Sequence, residues 1–247
     1  MKVVFHDDFY QHYTSDPASL EGRMEAIVEV ISPDVEFVNA ESASGAEIAA
    51  AHTESHVKYV RNSGLYPIAA LAAGGAIQAA RIGLDEPAFG LIRPPGHHAS
   101  ADSAWGFCYF NNMAIALLAL QREALIGKAL ILDIDLHFGD GTVNILGTKD
   151  WVKVYNPMER TRGEYVREVG HILSAVDLDI IGLSAGFDHH IDDWGGLLAT
   201  EDYFAIAALV SQAARACGAG CFAVLEGGYN HEVLGHNVAA LIEGLSS

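Results

Sequence analysis

Asp135 and His137 stand two residues apart in KALILDIDLHFGDGTV, which begins at Lys128. On an extended backbone, residues two apart project the same way, and Asp133 shares their side. A carboxylate and an imidazole converging at a strand end suit a borderline divalent metal such as zinc. Asp188, after Gly186 and Phe187, can supply a third ligand. Two carboxylates and one imidazole leave coordination positions open, the catalytic and not the structural arrangement. His97 and His98 are adjacent, so on an extended backbone their side chains diverge and chelate one metal poorly. They suit two acid/base groups flanking a reacting centre, each needing a carboxylate to fix its tautomer. Asp133 and Asp140 are available for that pairing. Tyr229, after Gly227 and Gly228, can aim a phenol at a developing oxyanion.

These residues need elements to carry them. Ala129 to Leu132 is a short continuous apolar run, as expected of a strand covered on both faces. Gly139 and Gly141 are expected to turn the backbone sharply after it. Further strands are expected at Lys2–His6, Val35–Val38, Ala88–Arg93, Trp151–Tyr155, Asp179–Ser184 and Cys221–Leu225. Helices are expected at Leu20–Ile31, Ala46–Arg61, Tyr66–Ile82, Asn112–Ala124 and Gly163–Ala175. Two more complete the set, one from an N-cap at Thr200 to Ala216 and one closing near Leu245. The alternation predicts an α/β fold with a mostly parallel sheet between helices. Ligands in such folds sit beyond the carboxyl ends of strands. Four polar loops follow strands here, after Arg93, Leu132, Ser184 and Leu225, and their convergence is hard to obtain from solvated turns alone. No internal repeat or linker interrupts residues 1–247, so one catalytic domain is expected.

A hydrophobic content of 51% over 247 residues allows a sizeable core. No apolar run is long enough for a membrane span, and MKVVFHDDF meets charge at once, without a signal-peptide core. A cytoplasmic protein is expected. Cys108, Cys217 and Cys221 are too few and scattered for a disulfide framework and read as packing residues. His52 and His56, four apart on one expected helix, lack a third ligand and read as surface or packing histidines. His6 and His12 are treated the same way. His189 and His190 read as loop residues near the site, and Asp192 and Asp193 as solvated or loop-holding. The formal charge of −18 repels nucleic acid and attracts cations.

RPPGHHA, GFCYFNN, DIDLHFGDGT, SAGFD and EGGY, in this order, resemble the zinc-dependent deacetylases of the arginase–deacetylase fold. That group includes histone deacetylases and acetylpolyamine amidohydrolases. The likeness runs from about Ala88 to the last helix. It implies a three-layer αβα fold and hydrolysis of acetyl groups from acetyl-lysine or acetylpolyamines. It implies zinc, or iron(II), on Asp135, His137 and Asp188, with His98 as base and acid oriented by Asp140. His97, paired with Asp133, would help electrostatically, and Tyr229 would polarise the carbonyl. Phe107 would form one wall of the acyl-amine channel, and the Gly106 carbonyl would receive the substrate amide. A structural monovalent cation, potassium, is implied near Asp133 and backbone oxygens around Asp135 and His137.

Two departures stand out. Phe138 takes a position where many relatives carry a second histidine. After Tyr155, many relatives make a long excursion with a His-Gln pair and the second channel aromatic, whereas WVKVYNPMERTRGEY runs almost directly into a helix. The channel is therefore expected to lack one wall, or to borrow it from another subunit of a homo-oligomer. Two rival functions share these features. An arginase-like ureohydrolase would want more bridging positions for two manganese ions, and a non-catalytic acyl-amine binding protein would be expected to lose Tyr229 or a ligand. A small acetylated amine or acetyl-lysine peptide is the expected partner, with no nucleic acid or membrane.

Overall fold

A computed structural model describes residues 1–174 and 176–247. Seven parallel strands form one sheet: β1 (Lys2–Phe5), β2 (Glu36–Asn39), β3 (Ala88–Gly90), β4 (Ala129–Asp133), β5 (Val152–Tyr155), β6 (Ile180–Ala185) and β7 (Gly220–Leu225). Their order across the sheet is β2-β1-β3-β7-β6-β4-β5. Every residue of β3, β4 and β6 is buried, which is why these strands read as unbroken apolar runs and not as alternation. Register pairs Asp133 at the end of β4 with Ser184 of β6.

Helices cover both faces, giving the three-layer αβα arrangement. The chain forms α1 (Arg23–Ile31), α2 (Gly45–Ala51), α3 (Glu54–Asn62), α4 (Tyr66–Ile82), α5 (Asn112–Arg122), α6 (Asp140–Leu146), α7 (Arg162–Leu173), α8 (Thr200–Cys217) and α9 (His231–Ser246). One set packs as α1 on α9, α9 on α8 and α8 on α7; another joins α4, α5 and α2. No helix among the described residues is long and apolar enough to cross a membrane.

The structure moves several expected boundaries. The helix expected over Ala46–Arg61 is two, because the chain breaks at His52 and Thr53, whose hydroxyl caps α3 through the His56 N–H. Thr200 is the first residue of α8, not its cap: Ala199 holds the cap position and its N–H is accepted by Asp202 at 2.8 Å. The helix expected to reach Ala175 is described to Leu173, and Ala175 lies outside the described residues. The sharp turn expected from Gly139 and Gly141 is instead the start of α6 at Asp140. Gly141 is there for close packing, since a Cβ would lie about 2.5 Å from the Ala99 backbone. Its small size lets α6 press against the loop that carries His97 and His98.

That loop is tied at a second point by Asn111. Its side chain caps α5 through the Ala114 N–H at 2.9 Å and donates to Ala99 O at 3.0 Å and Thr142 Oγ1 at 3.1 Å. The residue is fully buried. Asn111→Ala removes a cap and leaves buried groups unpaired, so we expect a loss of about 2–4 kcal/mol. Urea denaturation of the two proteins measures it, and a change under 1 kcal/mol contradicts the structural role.

Candidate active site

β3, β7, β6 and β4 are consecutive in the sheet, and each ends in one of the four polar loops. The sequence order hides this adjacency; the crossovers create it. β3 leads to His97 and His98, β7 to Glu226–Tyr229, β6 to Asp188, and β4 to Asp135, His137 and Asp140. All ten residues singled out from the sequence lie in these loops or in the Gly106–Phe107 turn beside them.

Asp135, His137 and Asp188 bring one ligand atom each to within 4.8 Å of one another. β4 ends at Asp133, and the chain then curls so that Asp135 Oδ1 accepts the His137 N–H at 2.9 Å. Asp135 Oδ2 accepts the Gly227 N–H at 2.9 Å, and Asp188 Oδ1 accepts the Leu136 N–H at 3.1 Å. Backbone donors thus aim the free oxygens inward. His137 Nδ1 faces Asp135 Oδ1 at 3.2 Å and Asp188 Oδ2 at 3.1 Å. One N–H cannot serve both, and Asp188 Oδ2 is left buried with no hydrogen bond. Two buried carboxylates converging on one imidazole nitrogen, with an orphaned oxygen, fit a divalent cation.

The adjacent histidines are shifted in opposite directions. Burial disfavours the imidazolium of His97, but Asp135 and Asp133 outweigh it and hold His97 well above the usual histidine range. Its Nδ1 lies 3.1 Å from Asp133 Oδ2. Burial and the neighbouring His97 together push His98 down to about 4, against the pull of Asp140. His98 Nδ1 donates to Asp140 Oδ1 at 2.7 Å, which leaves Nε2 with a free lone pair. Paired titratable groups whose surroundings push their proton affinities apart are an arrangement suited to acid/base chemistry. Burial and the Asp135 and Asp188 carboxylates raise Tyr229, so it stays a phenol and a donor.

Gly106 and Phe107 both take left-handed backbone, with φ of 57° and 66°. For phenylalanine this is a strained conformation of the kind found at functional sites. It swings the ring edge-on to Tyr229, with centroids 5.9 Å apart. Gly106 packs under His98, where a Cβ would meet Cδ2 at 2.4 Å. Its carbonyl accepts the Cys108 thiol at 3.4 Å and keeps a second lone pair for another donor.

Some residues that shape the site were not among the candidates read from the sequence. Glu226 is fully buried and accepts the Gly96 and His97 N–H groups; burial pushes its carboxyl up to about 7. Arg23, also fully buried, donates to Glu226 O at 2.7 Å and Gly228 O at 2.8 Å and so fixes the loop of Tyr229. An arginine on an apolar helix face was the available clue. His52 is a buried packing residue: its ring bonds Ser100 O and the Asn111 N–H, each at 2.9 Å, and His56 bonds Tyr109 O at 2.7 Å. Asp193 is loop-holding, accepting the Tyr229 and Asn230 N–H groups at 2.8 Å. The wall that the short segment after Tyr155 was expected to leave out has two aromatic neighbours within the chain. Trp194 and Trp105 of the same chain line the pocket of His98, His137 and Tyr229.

The fold and these four loops fit a three-layer αβα scaffold of the arginase–deacetylase type, and comparison with known proteins specifies the family. The histone deacetylase domain model matches residues 62–165 and 161–245. A probable deacetylase of Methanothermobacter thermautotrophicus is 33% identical over 302 aligned positions, covering 98% of this chain and 90% of the relative. A probable deacetylase of Archaeoglobus fulgidus is 30% identical, covering 93% of this chain and 81% of the relative. The crystal structure of the HDA15 HD domain superimposes with a TM-score of 0.87, covering 99% of this chain and 89% of that one at 24% identity. The chain belongs to the histone deacetylase domain family. The family match falls into two pieces that overlap at 161–165, the first turn of α7, and the first alignment spans 302 positions against a chain of 247. A stretch of that relative therefore has no counterpart in this chain.

Hydrogen bonding to Asp135 and then Asp188 pushes His137 up to about 10. At pH 7 its imidazole is charged, and a metal ligand must be neutral. Binding of a divalent metal by this donor set should therefore release about one proton at pH 7, and affinity should fall as pH is lowered. Calorimetry in buffers of different ionisation enthalpy measures the release; zero protons contradicts the ligand set.

Proposed function

We propose that the chain is a zinc-dependent deacetylase that hydrolyses the amide of small N-acetylated amines, acetyl-lysine peptides or acetylpolyamines, and releases acetate. The observation that carries this reading is a neutral, Asp140-bonded His98 beside the Asp135–His137–Asp188 donor set, in the pocket that Tyr229 also lines. An ion held by those three residues supplies Lewis acidity toward the acyl carbonyl and acidifies a water. His98 Nε2 takes the water proton and later hands it to the leaving amine. His97, buried against Asp133 with its proton affinity raised by the Asp135 and Asp133 carboxylates, offsets negative charge that develops in the reaction. The Tyr229 phenol donates to the oxyanion, a contribution of about 3 kcal/mol for a single donor. The Gly106 carbonyl receives the substrate amide N–H, and Phe107 lies along the alkyl stem.

Zinc suits two oxygens and one nitrogen, with iron(II) the other metal that this set admits. Asp133, Asp135, Asp188 and Glu226 are buried together against two imidazoles, an excess of negative charge that supports a monovalent cation near Asp133 as well. The second donor cluster among the described residues, His97, Cys108 and Glu226, is already bonded to Asp133 and to backbone groups. That weighs against an arginase-like pair of manganese ions. We place the protein in the cytoplasm, in keeping with its three free cysteines.

Acetate release by the zinc-loaded protein from acetyl-lysine and acetylputrescine tests the reading; absence of turnover on every acetylated amine overturns it. Tyr229→Phe should retain zinc and lower kcat by about 10²–10³ with little change in KM, because the phenol acts on charge present only in the transition state. A raised KM with unchanged kcat contradicts that role. The net charge of −18 should also make kcat/KM for a cationic substrate fall with added salt, while a neutral acetyl-amide is unaffected. Stopped assays at 20 and 500 mM salt compare the two.

A further inference from the structure

Six rings close a collar around the candidate active site. Phe107 meets Tyr229 edge-on at 5.9 Å, and Tyr229 stacks on Trp194 at 4.1 Å. Trp194 meets His137 at 6.2 Å, His137 meets His98 at 5.9 Å, and His98 stacks on Trp105 at 3.7 Å. Gly106 alone separates Trp105 from Phe107 in the chain, so the circuit closes. The space inside is small, about 100 Å³.

A second space adjoins it. A trough of about 480 Å³ is lined by Leu136, Phe138, Met158, His189 and Gly195. It lies where residues 156–161 join β5 directly to α7. His137 and Trp194 line the small pocket, while their neighbours Leu136, Phe138 and Gly195 line the trough. These two side chains therefore stand between the two spaces. His137 is committed to Asp135 and Asp188, which leaves the Trp194 indole as the removable part of the partition.

Trp194 is held for that position. Asp193 Oδ1 accepts the Trp194 backbone N–H at 2.8 Å, while Asp193 Oδ2 accepts the backbone N–H groups of Tyr229 and Asn230 at 2.8 Å. One carboxylate thus clamps the Trp194 loop to the Tyr229 loop and keeps the two rings in register. The indole is 53% exposed, so one face forms wall and the other meets solvent.

We propose that Trp194 is a specificity-determining residue: it closes, from within the same chain, the wall left open by the short β5–α7 connection, and so restricts the enzyme to short acyl groups on unbranched alkylamines. This rests on the deacetylase reading above. With the indole in place the pocket is only about 100 Å³, so the collar limits the room for each methylene added to the acyl group, and one that does not fit costs about 10–200-fold in kcat/KM. Without the indole, a longer acyl chain gains the trough, whose mixed lining offers it an apolar side at Leu136, Phe138, Met158 and Leu197 beside the polar Asn156, Glu159 and Arg160.

The test compares acetyl-lysine and butyryl-lysine peptides with the zinc-loaded full chain. The wild type should favour acetyl by at least about 10-fold in kcat/KM. Trp194→Ala should narrow or invert that ratio by about 10-fold or more, and Trp194→Leu, which keeps an apolar side chain, should fall between. Circular dichroism and zinc content establish that each variant is folded and loaded. An unchanged acetyl-to-butyryl ratio in either active variant overturns the proposal. So does loss of both activities in folded, zinc-loaded variants, which would assign Trp194 to the chemical step. A wild type that cleaves both peptides equally overturns the acyl-length restriction. A wild type that cleaves neither peptide, nor any acetylated amine, instead refutes the deacetylase reading itself.

Discussion

The site depends on one electrostatic constraint: four carboxylates, Asp133, Asp135, Asp188 and Glu226, are buried within the ends of adjacent parallel strands. Two unit charges 4 Å apart interact by about 4 kcal/mol at an effective dielectric of 20, so such a cluster cannot stand without compensation. His97 and His137 supply part of it, and their raised proton affinities are the visible consequence. Charge on His97 then helps to keep His98 neutral at the next position. The division of roles between adjacent histidines is thus a product of the carboxylate cluster and not of the histidines themselves. A bound cation relieves the same excess, which ties metal binding to the protonation of His137.

Around this cluster the backbone is held by side chains that do no proposed chemistry. Arg23 reaches Glu226 and Gly228 from α1, Asn111 and His52 brace the loop of His97 and His98, and Asp193 clamps the Tyr229 loop. Irregular loops at strand ends carry backbone groups that must be paired once buried. Supplying partners from three different helices or loops makes each loop rigid in the same step. Phe107 keeps its strained left-handed backbone only because His98, Cys108 and Tyr229 pack around that turn.

The short connection after β5 changes the surroundings of the site more than the site. β5 is left at the edge of the sheet, where Lys153 stands on an exposed position that discourages strand pairing. Asn156 accepts the Gly139 N–H at 2.8 Å and so completes the loop that leads into α6. The trough beside His137 is the space that this economy leaves.

The sequence by itself determined the fold class, the four loops and the residues with chemistry, because buried parallel strands read as apolar runs and the loop motifs are dense in ligand and acid/base types. Asp135, His137 and Asp188 were legible from spacing and residue type alone. Only the tertiary structure decided that β3, β7, β6 and β4 are neighbours, since strand order depends on crossovers that leave no local trace. It also decided the break at His52, where local propensity favoured one helix and contacts to Ser100 and Asn111 won. Arg23, Glu226 and Trp194 were illegible because burial and ring stacking join residues up to two hundred positions apart, and nothing in their immediate sequence records those partners.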